Sequence, residues 1–418
     1  MGHKSQIARI TDYIVFAILV TVFSIFLYRL VVCQAIYGGR TDGYYSELLA
    51  YITEIDGTNT KYNFAYPLFF LTGRFFKLFL PTGHAAALAV VLFNGLTLIL
   101  TKYYFEKTIF KRSDIKDTWY VHIVISIVSV GCSIMAMWWL PRFGRFKLFH
   151  KDQVYYGTFT GNPWHNATYI ATKPFAVVAF FSFTELLDQY EKKINIKTAV
   201  VFSLSLLLSA IAKPTFNLVL ITAAGIVMLF RFIRAKCNNF KQLLALGVCF
   251  FPTFVAMLIQ FADMFVSKSA EDVQGIRFAW FEVWKGQNPH VVEAVFYANV
   301  FALVCLIFFR KDIIKDCRYR FAVLFFIVSF LEAGLLCEKG VRFPDFNFSW
   351  GYMHGIFFFE LISALRLLEA SLRKRFKWYW IVLLWAIFFS QVVAGVLYFK
   401  GLYWGYDYKT LLPMTWLE

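Results

Sequence analysis

Apolar residues recur along the chain in continuous runs of about 20, separated by short polar gaps. That is the length a helix needs to cross a hydrocarbon core. Barrel strands would be shorter and would alternate polar with apolar, so continuous runs predict helices. The runs at 12–33, 83–102, 119–140, 170–188, 198–212, 214–231, 243–263, 291–309, 321–337, 351–370 and 378–399 predict about eleven spans. The expected fold class is an all-α integral membrane protein. No repeat or low-complexity linker divides residues 1–418, which reads as one polytopic domain without a separate soluble domain.

Lysine and arginine set the expected orientation. With the N-terminus in the cytoplasm, the loops 102–117, 192–197, 231–241, 310–320 and 366–377, together with Lys4 and Arg9, hold 24 of the 42 basic residues. The C-terminal tail then lies outside. The weak point is Pro67–Leu80, an apolar segment carrying Arg74 and Lys77. A charge at mid-bilayer costs about 2.5–3.5 kcal/mol, so this segment is expected on the outer surface or re-entrant. The first outer loop, 34–82, then carries amphipathic helices.

Composition agrees. Apolar residues reach 59% and charged ones only 16%, too few to coat a soluble globule, which carries about 25% charged residues. The net charge of +16 resides in short inter-span gaps, which argues for membrane topology and against nucleic-acid binding. The seven cysteines have no metal spacing; only Cys33 and Cys337 fall where a disulfide is conceivable. The first run lacks a small-residue cleavage site and reads as an uncleaved span.

Four outer segments carry candidate chemistry. The first is Gly38-Gly39-Arg40-Thr41-Asp42-Gly43. Asp42 fits a general base or a helix N-cap, while Glu47 and Glu54 fit the wet face of an amphipathic helix. The second holds Asn162, Trp164, His165, Asn166 and Lys173. These side chains suit sugar hydroxyls, a sugar ring or an anion near a helix N-terminus; they also suit an interfacial turn. Asn166-Ala167-Thr168 matches a glycosylation sequon as well. The third is Lys213 with Asn217 in a short hairpin, either functional polar residues at membrane depth or a snorkelling lysine. The fourth runs from Glu338 and Lys339 through Arg342 to His354. Arg342 offers a planar fork for phosphate, and the alternative is a salt-bridged surface loop. The 267–289 loop, with Arg277, Trp280, Trp284 and Lys285, is expected to cover such a site as a lid.

This layout resembles the GT-C class of polytopic glycosyltransferases, in which a catalytic acid lies in the first extracytoplasmic loop. Arg-Thr-Asp-Gly-Tyr-Tyr places Asp42 there, and Ser46–Thr53 matches the amphipathic helix that follows. The Asn-Pro-Trp-His-Asn-Ala-Thr-Tyr and Glu-Lys-Gly-Val-Arg stretches are similar to segments of membrane proteins from bacterial surface-polysaccharide clusters. The resemblance implies a polyprenyl-phosphate-linked sugar donor, a glycan or lipid acceptor and an inverting transfer with Asp42 as base. It also implies a bacterial plasma-membrane location with the site on the extracytoplasmic side. Gly43 and Tyr44 stand where some members carry a second acid, so a divalent metal bound by a paired acidic motif is not implied, and no cofactor is certain. Three other readings stay open: a Wzy-like polymerase or O-antigen ligase using a lipid-diphosphate oligosaccharide, a lipid-linked sugar transporter or flippase, and a membrane subunit without chemistry.

Overall fold

The computed structural model describes residues 3–39, 44–60, 63–111, 114–138, 156–265, 275–287 and 291–405. The long helix α1 (His3–Tyr37) leads into two short ones, α2 (Leu48–Asp56) and α3 (Leu68–Lys77), then α4 (Thr82–Phe110) and α5 (Trp119–Cys132). After a 3-10 turn come α6 (Ala167–Gln189), α7 (Ile196–Ala212), α8 (Thr215–Arg234), α9 (Phe240–Val248) and α10 (Phe251–Phe265). Next are α11 (Glu282–Gln287), α12 (Val291–Ala298), α13 (Val300–Phe308) and the single turn α14 (Asp312–Lys315). The chain finishes with α15 (Cys317–Leu335), α16 (Ser349–Leu372) and α17 (Trp378–Tyr403). Among the described residues the one sheet is a ribbon of β1 (Ile276–Phe278) and β2 (Leu336–Glu338), antiparallel with Ile276 opposite Glu338.

Among the described residues five helices are long and apolar enough to cross a bilayer, and two bent pairs, each taken as one span, raise the number to seven. Their outer faces carry exposed Ile14, Ile18, Ile25, Phe254, Leu258 and Val393. Water would not tolerate so broad an apolar surface, whereas lipid solvates it. The chain is therefore an all-α protein of the multi-pass membrane kind. Helices α6 and α16 are enclosed almost all round and meet through Phe180 stacked on Phe358 at 4.4 Å. A helix enclosed on every side can keep polar residues if each finds a partner. Gly161 permits the approach of the segment before α6: a Cβ there would lie 2.8 Å from the Phe357 Cα.

Local chemistry fixes the helix ends. The Asn166 side chain caps α6 by accepting from the Tyr169 N–H at 2.8 Å. Asp316 caps α15 through the N–H groups of Arg318 and Tyr319. Gly57, at φ 76°, closes α2 in the left-handed region that favours glycine.

Two expected continuous runs are broken. The run 243–263 divides into α9 and α10 with a 53° bend, and 291–309 divides into α12 and α13 with a 66° bend. Pro252 has no N–H to offer the Val248 carbonyl, and its ring crowds that carbonyl. At the second break Asn299 Nδ2 donates to the Val295 carbonyl at 2.8 Å, competing with the backbone ladder.

The Pro67–Leu80 segment forms α3, a ten-residue helix too short to span. Its two basic residues pair with α2: Arg74 with Glu54 at 2.8 Å and Lys77 with Asp56 at 2.6 Å. Glu54 is thus a tie between surface helices, not a lone wet-face acid. The hydrogen bond from Thr82 to Asp56 joins the start of α4 to the same end of the bundle.

Candidate functional site

The elements at the α2 end enclose a cavity of about 140 Å³. Its polar wall consists of Lys213 from the α7–α8 turn, Glu338 at the end of β2, Arg342, Asn347 and Tyr66. Its apolar wall is built by Leu218 of α8, Met257 and Phe261 of α10, Ile276 and Phe348. Leu218 and Phe261 are also exposed on the outer face of the bundle, so this wall adjoins the surface that lipid would cover.

Lys213 does not snorkel outward. It is buried, its Nζ lies 4.1 Å over the Trp350 ring, and it donates to Asn166 Oδ1 at 3.3 Å. Burial pulls its ammonium down to about 8, with the Glu47 carboxylate opposing the shift. Asn166 Nδ2 in turn donates to Glu47 Oε2 at 2.7 Å and to the Tyr51 hydroxyl at 3.0 Å. The Glu47 N–H donates to the His165 carbonyl at 3.4 Å. Glu47, expected on a wet face, instead anchors this relay from α2 through Asn166 to Lys213.

Arg342 is oriented by Glu338, whose carboxylate lies 3.2 Å from its Nε and also accepts from Asn347 at 2.5 Å. Burial raises the Glu338 carboxyl above its ordinary value, while Asn347 and Arg342 pull it back. Lys213 and Arg342, 129 positions apart in sequence, thus meet at one cavity. Lys339 does not line it; its N–H donates to the Gly275 carbonyl at 2.8 Å, extending the β1–β2 ribbon.

Other expected ligand-binding residues serve packing. Trp164 is buried edge-on between Phe23 and Phe399, at 5.3 and 5.8 Å, where no sugar reaches it. The His165 ring lies 5.7 Å from Trp350, beside the relay. Asn162 donates to the carbonyls of Cys132 and Met135 at 3.1 and 2.8 Å and accepts from Lys173. Lys173 itself lies 4.1 Å over Phe357, deep between α6 and α16. His354 stacks on Tyr169 at 4.2 Å, fully buried, and neither ring nitrogen has a hydrogen-bond partner. Asn166 is buried and engaged as a cap, so the sequon is not an acceptor in the folded chain. Cys33 and Cys337 are both free. The expected lid is a packed element where it is described: Trp284 of α11 is buried against Phe330 and Tyr352, and Arg277 pairs with Glu282 at 2.7 Å.

Arg40 and Asp42 lie outside the described residues. The neighbouring Tyr44 N–H donates to the Gly405 carbonyl at 3.4 Å, which fixes the chain after that loop to the end of α17.

No protein-family model matches this sequence, and no curated protein matches it.

Toward the other end of the bundle, Asp12, Glu106 and His122 bring one ligand atom each within 4.8 Å of one another, a spacing that a metal ion would accept. Lys102 donates to Asp12 at 2.7 Å and to Glu106, and Ser126 donates to Asp12 at 2.8 Å. The lysine already supplies the positive charge these carboxylates require, so the group fits an internal ion-pair tie among α1, α4 and α5 better than a metal centre. Sequence reasoning named neither this cluster nor Tyr66, gave Asn347 no role and put Glu47 on a wet face. Glu47 sits four residues before Tyr51, a one-turn spacing, but nothing local marks it as Asn166's partner.

Proposed function

We propose that this chain is an eleven-span membrane glycosyltransferase with its N-terminus in the cytoplasm. It takes a polyprenyl-phosphate-linked sugar at the outer leaflet and transfers the sugar to a glycan or lipid acceptor. The observation that supports this reading is the two-sided cavity: Lys213 and Arg342 on one wall, Leu218 and Phe261 on the other. A ligand with an anionic phosphate and a hydrocarbon tail matches both walls, and the tail can approach from the lipid side. The count of eleven takes each bent pair as one span and adds α5, α7, α15 and α16, which neighbouring helices partly or fully shield.

In this mechanism the cations stabilise the charge that grows on the departing phosphate. The acceptor oxygen forms a bond to the anomeric carbon as the bond from that carbon to the phosphate oxygen breaks. The electron pair leaves with the phosphate, and the acceptor proton passes to Asp42. Attack from the opposite face gives inversion. The buried His354, Lys173 and Glu360 support a second reading, a lipid-linked sugar transporter, because ionisable groups at membrane depth commonly mark a pathway.

One reconstitution separates these readings. Proteoliposomes supplied with a lipid-monophosphate monosaccharide and an acceptor are expected to accumulate glycosylated acceptor. Turnover of a lipid-diphosphate oligosaccharide alone would point to a polymerase or ligase. Movement of the donor between leaflets without transfer would establish the transporter and remove the enzyme.

The depressed Lys213 value carries a pH signature. Below about 8 the lysine is charged and holds the phosphate; above it the neutral amine does not. Donor affinity is therefore expected to weaken as pH rises from 7 to 9, roughly tenfold per unit at the steepest part. Lys213→Arg, charged throughout, should flatten that profile in a donor-binding titration; an unchanged profile would remove Lys213 from the phosphate site.

A further inference from the structure

Helix α16 starts beside the two-sided cavity and ends at a strongly basic surface. The segments 310–320 and 366–377 together hold ten lysines and arginines against three acids. Asp114 joins those acids by pairing with Arg373 at 2.7 Å, which leaves an excess of six positive charges. The neighbouring cavity among α4, α6 and α15 adds Lys107 and Lys111 but also Glu185 and Asp188, so it does not alter that excess. The acids are spent on arginines: Asp312 on Arg366 and Arg375, and Asp316 and Glu369 on Arg366. Arg310, Lys311, Lys315, Lys374 and Lys377 are exposed, and none of the five pairs with a carboxylate of a described residue.

Packing gathers these cations from two distant stretches of chain. Arg310 and Lys311 follow directly on Phe308 and Phe309. The Phe308 ring lies 5.9 Å from Phe376 and 5.2 Å from Trp380, and Phe309 lies 5.5 Å from Phe376. Those rings bring the start of α14 beside Lys374 and Lys377. Asp312 fastens the same two stretches through Arg375, and Arg320 holds the turn by donating to the Ile314 carbonyl at 3.0 Å. Two large apolar side chains stand among the cations: Ile314 is 80% exposed and Trp378 is 74% exposed. Lys311 and Ile314, three positions apart, share one face of α14. Helix α17 is among the membrane-crossing helices and begins at Trp378, so this surface lies at the bilayer boundary, where tryptophan and tyrosine collect. A small soluble anion gains nothing from an exposed isoleucine. A lipid leaflet takes the cations at its headgroups and the apolar side chains just beneath them.

We propose that α14 and the segment 373–380 form a docking surface for anionic phospholipids of the adjacent leaflet. Arg310 and the four lysines meet the headgroup phosphates, the lysines as flexible point charges, while Ile314 and Trp378 enter the acyl boundary. This surface is independent of what the two-sided cavity binds and of the glycosyltransferase reading.

The test places the full-length protein in phosphatidylcholine membranes. Spin-label resonance measures how strongly spin-labelled phosphatidylglycerol is preferred over spin-labelled phosphatidylcholine at the protein boundary. The wild type is expected to prefer phosphatidylglycerol roughly fivefold or more, and about 1 M salt should remove most of that preference. The combined variant Lys311→Gln, Lys315→Gln, Lys374→Gln, Lys377→Gln should fall to near parity. Its thermal midpoint in pure phosphatidylcholine should stay that of the wild type, because these lysines have no ion pair to lose. Should the combined variant fail to fold, the pairs Lys311→Gln with Lys315→Gln and Lys374→Gln with Lys377→Gln, made separately, are each expected to lower the preference about twofold or more. Lys192→Gln with Lys193→Gln, at exposed positions between α6 and α7, should leave it nearly unchanged. Four outcomes overturn the proposal. They are parity in the wild type, an unaltered preference in the patch variants, an equal fall in the Lys192 and Lys193 pair, and complete loss when inorganic phosphate replaces chloride at equal ionic strength, which would assign the patch to a soluble anion.

Discussion

Asp42→Asn is expected to give a folded protein whose sugar transfer falls by about 10²–10⁴-fold, the contribution of a positioned general base. The substitution preserves size and removes only the capacity to take a proton. The loss should fall on turnover, with donor affinity nearly unchanged, because in the proposed mechanism Lys213 and Arg342 hold the phosphate while Asp42 acts on the acceptor. Glu47→Gln supplies the contrast. Glu47 accepts hydrogen bonds from Asn166 and Tyr51 at its Oε2, and its role is to position Lys213 through Asn166. Its variant should weaken donor affinity more than turnover and shift the pH dependence of binding. The two variants, compared by kcat and KM with the lipid-monophosphate donor, assign the base. Full turnover in Asp42→Asn with collapse in Glu47→Gln would transfer that role to Glu47.

The largest stability effect is expected at Asp312, far from that chemistry. Its carboxylate accepts from Arg366 at 2.7 Å and from Arg375 at 2.5 and 2.8 Å, with only 5% of its side chain exposed. Asp312→Ala leaves Arg375 without its acid, while Arg366 keeps Asp316 and Glu369. Removing one partner of a buried pair costs about 3–5 kcal/mol. Arg375 is 36% exposed and screened by solvent, so a smaller loss of roughly 2 kcal/mol is expected, seen as a lowered thermal midpoint in detergent. Arg373→Ala breaks the exposed pair with Asp114 and should cost under about 1 kcal/mol. Burial works to raise the Asp312 carboxyl, but the hydrogen bonds from Arg375 and Arg366 outweigh it and hold the group below its ordinary value. Its contribution is therefore complete above the ordinary carboxylate range and lost only as pH falls through the lower folded value. Equal loss in both variants would show that the Asp312 cluster is not the tie between α14, α16 and the segment before α17.

Much of this molecule was legible before any coordinate. Each apolar run contains a helix or a bent pair, because lipid-facing and enclosed helices both require long stretches without charge, but the run 119–140 is helical only over Trp119–Cys132. The basic charges of α3 ruled out a crossing, and their actual partners, Glu54 and Asp56, lie on the neighbouring α2 as short-range geometry allows. Lys213, Arg342 and Glu338 stood out as polar residues in apolar surroundings, and they do share one cavity. The residues misread from sequence fail for a common reason. Trp164 carries the chemistry of a sugar platform, yet its neighbours Phe23 and Phe399 come from opposite ends of the chain.

The sequence by itself determined what a local rule can reach: helical class, the positions of the apolar runs, and which segments concentrate charge. Only the tertiary structure decided which charges are spent on one another. Asn166 chooses Glu47, Lys102 chooses Asp12, and Arg318 is left with a bare Nε. Pairing across a bundle depends on how helices distant in sequence rotate and stack. No spacing along one strand of text encodes that rotation, because it is settled by the packing of every helix against all its neighbours at once.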